Sequence, residues 1–131
     1  MKNAYECDLS TILADLPGAN QPEDLEARIT GIASDSRRVE PGCLFVAVRG
    51  SSFDGHRYIP DAVARGAAAV VGMDSGISLP VPYIQVPDSR MAIPYLAAAF
   101  YGHPGRKLTM IGVTGTDGKT TTCNLIYHIL Q

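Results

Sequence analysis

The chain has 131 residues, a length that fits one domain or one domain followed by the beginning of another. Hydrophobic residues make up 46%, enough to bury a core, while a net charge of −2 provides no basic surface for nucleic acid. The apolar runs, such as residues 67–71, are far too short to span a membrane, and the polar N-terminus lacks the apolar core of a signal peptide. We therefore expect a cytoplasmic protein with neither a nucleic-acid nor a membrane partner.

The first half of the chain alternates helical and extended patterns. Residues 9–16 place their leucines and isoleucine on one helical face, with Asp8 or Ser10 as the cap. Strands are predicted over residues 28–33 and 43–48, and the second strand is apolar without alternation. A strand of that kind is covered on both faces, as in the layered sheets of α/β proteins.

The second half repeats the alternation. In chain order, we predict a helix over 59–66, a strand over 67–72, a strand over 83–86, a helix from Asp88 or Ser89 to about Tyr101, a strand over 108–113 and a helix from Lys119 onward. Residues 102–105 form a breaker and a candidate domain linker. The alternation indicates an α/β fold with a mainly parallel sheet flanked by helices.

Cysteine and histidine positions exclude several kinds of site. Cys7, Cys43 and Cys123 lie far apart with no C-x-x-C pair, so neither a zinc ribbon nor a redox dithiol is indicated. The histidines, His56, His103 and His128, share no ligand spacing, and we interpret them as surface or packing residues. No Ser-His-Asp arrangement and no paired-carboxylate site is indicated.

A glycine-bearing loop between a predicted strand and a predicted helix carries the strongest chemical signal. Glycines at 115 and 118 allow backbone N–H groups to approach phosphate oxygens, and a helix that begins at Lys119 adds a partial positive charge. The Lys119 ammonium would reach the β- and γ-phosphates, and the Thr120 hydroxyl would ligate Mg²⁺. The general phosphate-loop pattern needs glycine where this chain has Val113, so the loop is shorter than the common one.

Residues 112–122 resemble the ATP loop of the Mur ligases, which build the peptide stem of bacterial peptidoglycan. Within the family, the loop is most similar to that of the ligases that add the third residue, although these often have Asn in place of Asp117. A second match lies upstream, in Asp35-Ser36-Arg37, residues 41–47, Gly50 and Asp54-Gly55-His56. The resemblance extends from about residue 28 to the end of the sequence.

The resemblance implies two domains and a set of site residues. Residues 1–105 would form the N-terminal domain that binds UDP-N-acetylmuramoyl-L-alanyl-D-glutamate, and residues 106–131 would begin a central ATP-binding domain. The nucleotide end of the substrate would contact Ser34, Ser36, Ser51, Ser52 and Phe53. The ATP phosphates would contact Gly115, Thr116, Asp117, Gly118, Lys119, Thr120 and Thr121, with Lys119 catalytic and Thr120 on Mg²⁺.

The residues of the upstream motif also have purely structural interpretations. Ser34 and Ser36 are also typical turn caps, and Asp35 and Arg37 could pair with each other or cap the turn.

By resemblance, the parent enzyme joins an amino acid to the substrate with ATP through an acyl phosphate. We expect this chain to be part of that longer protein and to bind without catalysing. Two alternatives are the sister ligase that adds D-Ala-D-Ala and a non-catalytic α/β interaction domain.

Overall fold

The computed structural model describes residues 5–20, 25–50 and 53–131. Its helices are α1 (Leu9–Leu13), α2 (Ile59–Ala64), α3 (Ser89–Phe100), α4 (Pro104–Lys107) and α5 (Lys119–Leu130). Its strands are β1 (Cys7–Asp8), β2 (Arg28–Ile29), β3 (Gly31–Ala33), β4 (Cys43–Val46), β5 (Ala69–Gly72) and β6 (Tyr83–Gln85). Single turns of 3-10 helix lie at Ser36–Arg38 and Gly55–Tyr58.

A four-stranded parallel sheet in the order β3-β4-β5-β6 is the centre of the fold, which confirms the predicted α/β class. Both faces of this sheet are covered. Alternate side chains of β4 point to opposite faces, so Leu44 and Val46 pack with α1 and α3, while Phe45 packs with Ile59 and Ala62 of α2. All four residues of β4 are consequently buried, as its unbroken apolar sequence predicts.

The helix ends follow local chemistry. The Asp88 carboxylate accepts hydrogen bonds from the backbone N–H groups of Arg90 and Met91, which caps α3 as predicted. Pro94 lies inside α3 without ending it. Helix α1 stops at Leu13, earlier than predicted, yet Leu16 remains buried in the turn that follows.

Two predicted strands differ from the observed structure. The segment 28–33 is not one strand: β2 pairs antiparallel with β1, and β3 joins the parallel sheet. Thr30 lies between them and is held by Pro41 and Gly42 through a side-chain and a backbone hydrogen bond. The predicted strand 108–113 is irregular, because no strand in the described ranges lies beside it to satisfy its backbone groups.

The C-terminal part of the chain has no core of its own in the described structure. Leu108, Met110 and Ile111 are exposed, and α5 has no buried residue. Between this part and the sheet, the Asp15 carboxylate pairs with His103 at 3.3 Å and with Arg106 at 2.9 Å. Within the described ranges, none of the helices has the length and apolar character needed to cross a membrane.

Candidate functional site

A pocket of about 540 Å³ opens where β3 and β4 end. In parallel sheets, the carboxyl ends of the strands are the usual place for ligands, and the volume falls in the range of small-molecule sites. The lining residues come from the turn after β3, from β4, from the loop after it and from the start of α2. They are Ser34, Asp35, Ser36, Arg37, Phe45, Phe53, Gly55, Tyr58 and Asp61.

One wall of the pocket is built by the 3-10 turn Ser36–Arg38. The Asp35 carboxylate accepts a hydrogen bond from the backbone N–H of Arg37 at 3.0 Å and pairs with both Nε and Nη2 of its guanidinium, at 3.0 and 2.8 Å. These bonds lower the pKa of Asp35 from 3.8 to about 2, with the Arg37 side-chain hydrogen bonds as the largest cause. The same pairing raises the pKa of Arg37. Ser36, which lies between the two residues of this ion pair, is buried at the pocket wall.

Another wall of the pocket is aromatic. Phe53 and Tyr58 stack with their ring centroids 5.2 Å apart and their planes inclined by 16°. Both rings remain about half exposed, so a planar ligand has access to them. Tyr58 was not predicted from the sequence, because only the 3-10 turn Gly55–Tyr58 brings it back beside Phe53. Its position directly before α2 was the available signal.

The structure therefore brings together three of the five residues predicted to contact the nucleotide end of the substrate. Ser34, Ser36 and Phe53 line the same pocket. The other two, Ser51 and Ser52, lie outside the described residues. The structural interpretation of Asp35 and Arg37 is confirmed: the two side chains pair with each other, and Asp35 caps the turn.

The predicted phosphate loop lies directly before α5. Gly115 and Gly118 have φ values of +154° and +75°, a region that residues with a Cβ rarely adopt. The Lys119 side chain folds back over the loop, with Nζ 2.6 Å from the Gly115 carbonyl and 3.2 Å from the Thr116 carbonyl. The ammonium is thus held beside the backbone that would surround a phosphate.

The remaining loop residues are open to solvent. Thr116, Asp117, Thr120 and Thr121 are exposed, and Thr120 and Thr121 lie in the first turn of α5. A helix N-terminus with a nearby ammonium and a hydroxyl is a donor set that fits a nucleoside triphosphate with Mg²⁺. Within the described ranges, no group of three or more His, Cys, Asp or Glu side chains is arranged to hold a metal. No hydrogen bond or ion pair in those ranges joins this loop to the pocket.

Comparison with known proteins identifies the family. A protein-family model, described as Mur ligase family, catalytic domain, matches residues 28–101 of this chain. The chain belongs to the Mur ligase family. It is 60% identical over 105 residues to the UDP-N-acetylmuramyl-tripeptide synthetase of Roseiflexus sp., covering 79% of this chain and 21% of that protein. It is 44% identical over 126 residues to the enzyme of the same name from Deinococcus radiodurans, covering 95% and 26%.

Solved Mur ligase structures share the fold. A crystal structure of MurF from Acinetobacter baumannii aligns with a TM-score of 0.70 at 28% identity, over 95% of this chain and 27% of that one. The MurF ligase of Thermotoga maritima in complex with ADP aligns with a TM-score of 0.54 at 33% identity, over 76% and 22%. The chain thus spans about a quarter of the length of the Mur ligases it matches.

Proposed function

We propose that this chain contributes the substrate-anchoring domain and the first ATP-binding elements of a ligase that adds the third amino acid to UDP-N-acetylmuramoyl-L-alanyl-D-glutamate. The observation that carries this proposal is the identity of 60% and 44% to two proteins named UDP-N-acetylmuramyl-tripeptide synthetase. In the proposed arrangement, residues 1–105 bind the uridine nucleotide and residues 106–131 begin the ATP-binding domain. The proposed location of this ligase is the cytoplasm.

The chemistry of the pocket supports binding of the uridine end. Uracil presents two carbonyl oxygens and one N–H, and the hydroxyls of Ser34 and Ser36 are able to donate to the former and accept from the latter. The planar base would stack on the half-exposed pair of Phe53 and Tyr58. Ser51 and Ser52, which directly precede Phe53 in the sequence, would complete the contacts.

The loop before α5 supports binding of ATP. Gly115, Thr116, Asp117, Gly118 and Thr121 would surround the phosphates, with backbone N–H groups donating to their oxygens. Mg²⁺, when bound through Thr120, would neutralise charge on the β- and γ-phosphates. Lys119 would stabilise the negative charge that develops on the transferred phosphoryl group, because its ammonium is already held at the loop.

The proposed reaction has two steps. The D-glutamyl carboxylate attacks the γ-phosphorus, which gives an acyl phosphate and ADP; the amine of the incoming amino acid then attacks the acyl carbon, forms the amide and releases phosphate. The residues of this chain hold the nucleotide and the phosphates, so we expect this chain alone to bind both ligands and to lack ligase activity.

Calorimetric titration of the chain with UDP-N-acetylmuramoyl-L-alanyl-D-glutamate, and separately with ATP and Mg²⁺, tests the proposal. We expect saturable binding of the uridine compound that Ser36→Ala weakens by about tenfold, the value of one hydrogen bond in a partly buried site. Lys119→Ala should weaken only ATP binding and serves as the matched control. A folded chain that binds neither ligand would contradict the proposal and favour the non-catalytic interaction domain.

The sister ligase that adds D-Ala-D-Ala is the second candidate, because MurF structures share the fold over 95% of the chain. The two ligases take substrates that differ by one amino acid. Stronger binding of the UDP-tripeptide than of the UDP-dipeptide by a longer chain that includes the remaining domains would favour this candidate.

A further inference from the structure

His56 is a buried residue that the proposed function does not use. It lies in the 3-10 turn Gly55–Tyr58, outside the pocket lining, and its side chain is only 6% exposed. The imidazole joins two different parts of the fold. Its Nδ1 is 2.7 Å from Asp54 Oδ1, and its Nε2 accepts a hydrogen bond of 2.9 Å from the backbone N–H of Met73, directly after β5.

These two contacts fix the position of the ring proton. A backbone N–H only donates, so Nε2 of His56 must be the unprotonated acceptor toward Met73. The proton of the neutral ring is therefore on Nδ1, where it is donated to Asp54. Asp54 also accepts from the His56 backbone N–H at 3.0 Å, and these bonds, together with Arg49, lower the pKa of the Asp54 carboxyl. The carboxylate thus remains an acceptor for the ring.

The same contacts hold the bridged segments 49–50 and 53–54, the second of which carries Phe53. Arg49 and Asp54 form an antiparallel bridge, and the Gly50 N–H donates to the Phe53 carbonyl at 2.6 Å. Arg49 pairs in addition with Asp74 at 2.8 Å. The bridged segments are therefore attached twice to the end of β5, once through His56 and Met73 and once through Arg49 and Asp74.

Close packing leaves the imidazole little freedom. A Cβ at Gly72 would lie 3.0 Å from His56 Nε2, and a Cβ at Gly55 would lie 2.7 Å from the Val48 backbone nitrogen. The two glycines let the turn with His56 lie directly against β5 and the residues after β4. The ring consequently lies between the Asp54 carboxylate and the backbone that follows β5, and it links the position of β5 to the bridged segments.

We propose that His56, as the Nδ1–H tautomer, is a positioning residue that holds the bridged segments 49–50 and 53–54, and with them Phe53, at the pocket for the uridine nucleotide. This inference rests on the proposed function of the pocket. His56 contacts no ligand; it acts through Asp54 and Met73. Its loss should therefore weaken uridine-nucleotide binding and leave ATP binding unchanged.

Three substitutions separate the two contacts. In His56→Asn, an amide near the Nδ1 position still donates to Asp54 and does not reach Met73. In His56→Gln, the longer side chain still accepts from Met73 and no longer presents a donor at the Nδ1 position. His56→Ala removes both contacts. His128→Ala is the control, since that histidine is exposed on α5.

Calorimetric titration of the full chain with UDP-N-acetylmuramoyl-L-alanyl-D-glutamate and with ATP and Mg²⁺ measures the effect. We expect Kd for the uridine compound to rise by about tenfold or more in His56→Ala and by about threefold in each single-contact variant. Kd for ATP should not change, and His128→Ala should match the wild type for the uridine compound. Wild-type affinity in a folded His56→Ala chain would overturn the proposal.

A second measurement keeps the proposal testable if His56→Ala does not fold. Long-range ¹H–¹⁵N NMR of the wild-type chain reports which ring nitrogen carries the proton, and we expect Nδ1. A proton on Nε2 would overturn the inference whatever the variants do. Failure of the wild-type chain to bind the uridine compound would instead contradict the proposed function, so the two failures are distinguishable.

Discussion

At the scale of single residues, the pocket depends on short polar contacts whose members are adjacent in sequence. Asp35 and Asp54 have the same local role: each caps a 3-10 turn by accepting from the backbone N–H two residues later. Asp35 then binds the Arg37 guanidinium, whereas Asp54 binds the His56 ring. One kind of turn thus supports both walls of the pocket.

The ion pair of Asp35 predicts how stability depends on pH. The pKa of the Asp35 carboxyl is lowered from 3.8 to about 2. The stabilisation by this carboxylate is therefore present above pH 3.8 and is lost as the pH falls through about 2. We expect Asp35→Asn to lower the midpoint of thermal unfolding by a constant amount above about pH 5, and this difference from the wild type to shrink between about pH 4 and pH 2. Thermal scans over that range measure it.

Asp117→Asn is the matched control for Asp35→Asn, because Asp117 is exposed and makes no ion pair within the part of the chain that the structure describes. Its midpoint should differ little from that of the wild type at any of these pH values. A difference for Asp35→Asn that stayed constant down to pH 2 would contradict the role assigned to the Arg37 pair.

At the scale of elements, the sequence predicts those whose signal is local. The sequence predicted three such features correctly, because propensity and burial agree there. They are the apolar run of β4, the Asp88 cap of α3 and the alternation of strands with helices. The break of residues 28–33 and the irregular segment 108–113 were not readable, because a strand exists only where another strand pairs with it.

The candidate site divides in the same way. Ser34, Ser36 and Phe53 were found from a motif, and the structure brings them into one pocket. Tyr58 was missed because a 3-10 turn returns it beside Phe53, and the bridging role of His56 was missed because it depends on a contact between segments. Met73, for example, is 17 residues from His56. Spacing along the sequence carries no information about such a contact.

The turn that begins at Gly55 gives an element-scale prediction. A Cβ there would lie 2.7 Å from the nitrogen and 2.8 Å from the carbonyl oxygen of Val48, both of them backbone atoms. We expect Gly55→Ala to destabilise the chain by about 1–3 kcal/mol, as overpacking does, in urea unfolding. Gly112→Ala is the control, since nothing lies within 4 Å of its Cβ position, and it should change stability by less than about 0.5 kcal/mol. Equal stability of the two variants would contradict the close approach.

At the scale of the whole molecule, the two predicted ligand sites differ in their structural support. The uridine pocket is built on a sheet with a core on each face. The phosphate loop precedes a helix without buried residues, whose Leu125, Ile129 and Leu130 are exposed. The buried core ends at Phe100, and stability therefore resides in the part of the chain that carries the pocket.

This division predicts the result of shortening the chain. Removal of residues 108–131 takes away no buried apolar side chain and keeps the pairs of Asp15 with His103 and Arg106. We expect the midpoint of thermal unfolding to stay within about 2 °C of that of the full chain, with binding of the uridine compound retained and binding of ATP abolished. Removal of residues 96–131 is the contrasting variant: it deletes Leu96 and Phe100 from the core and should prevent folding. A fall of more than about 5 °C on the shorter deletion would mean that α5 packs against the sheet in solution and that the two sites fold as one unit.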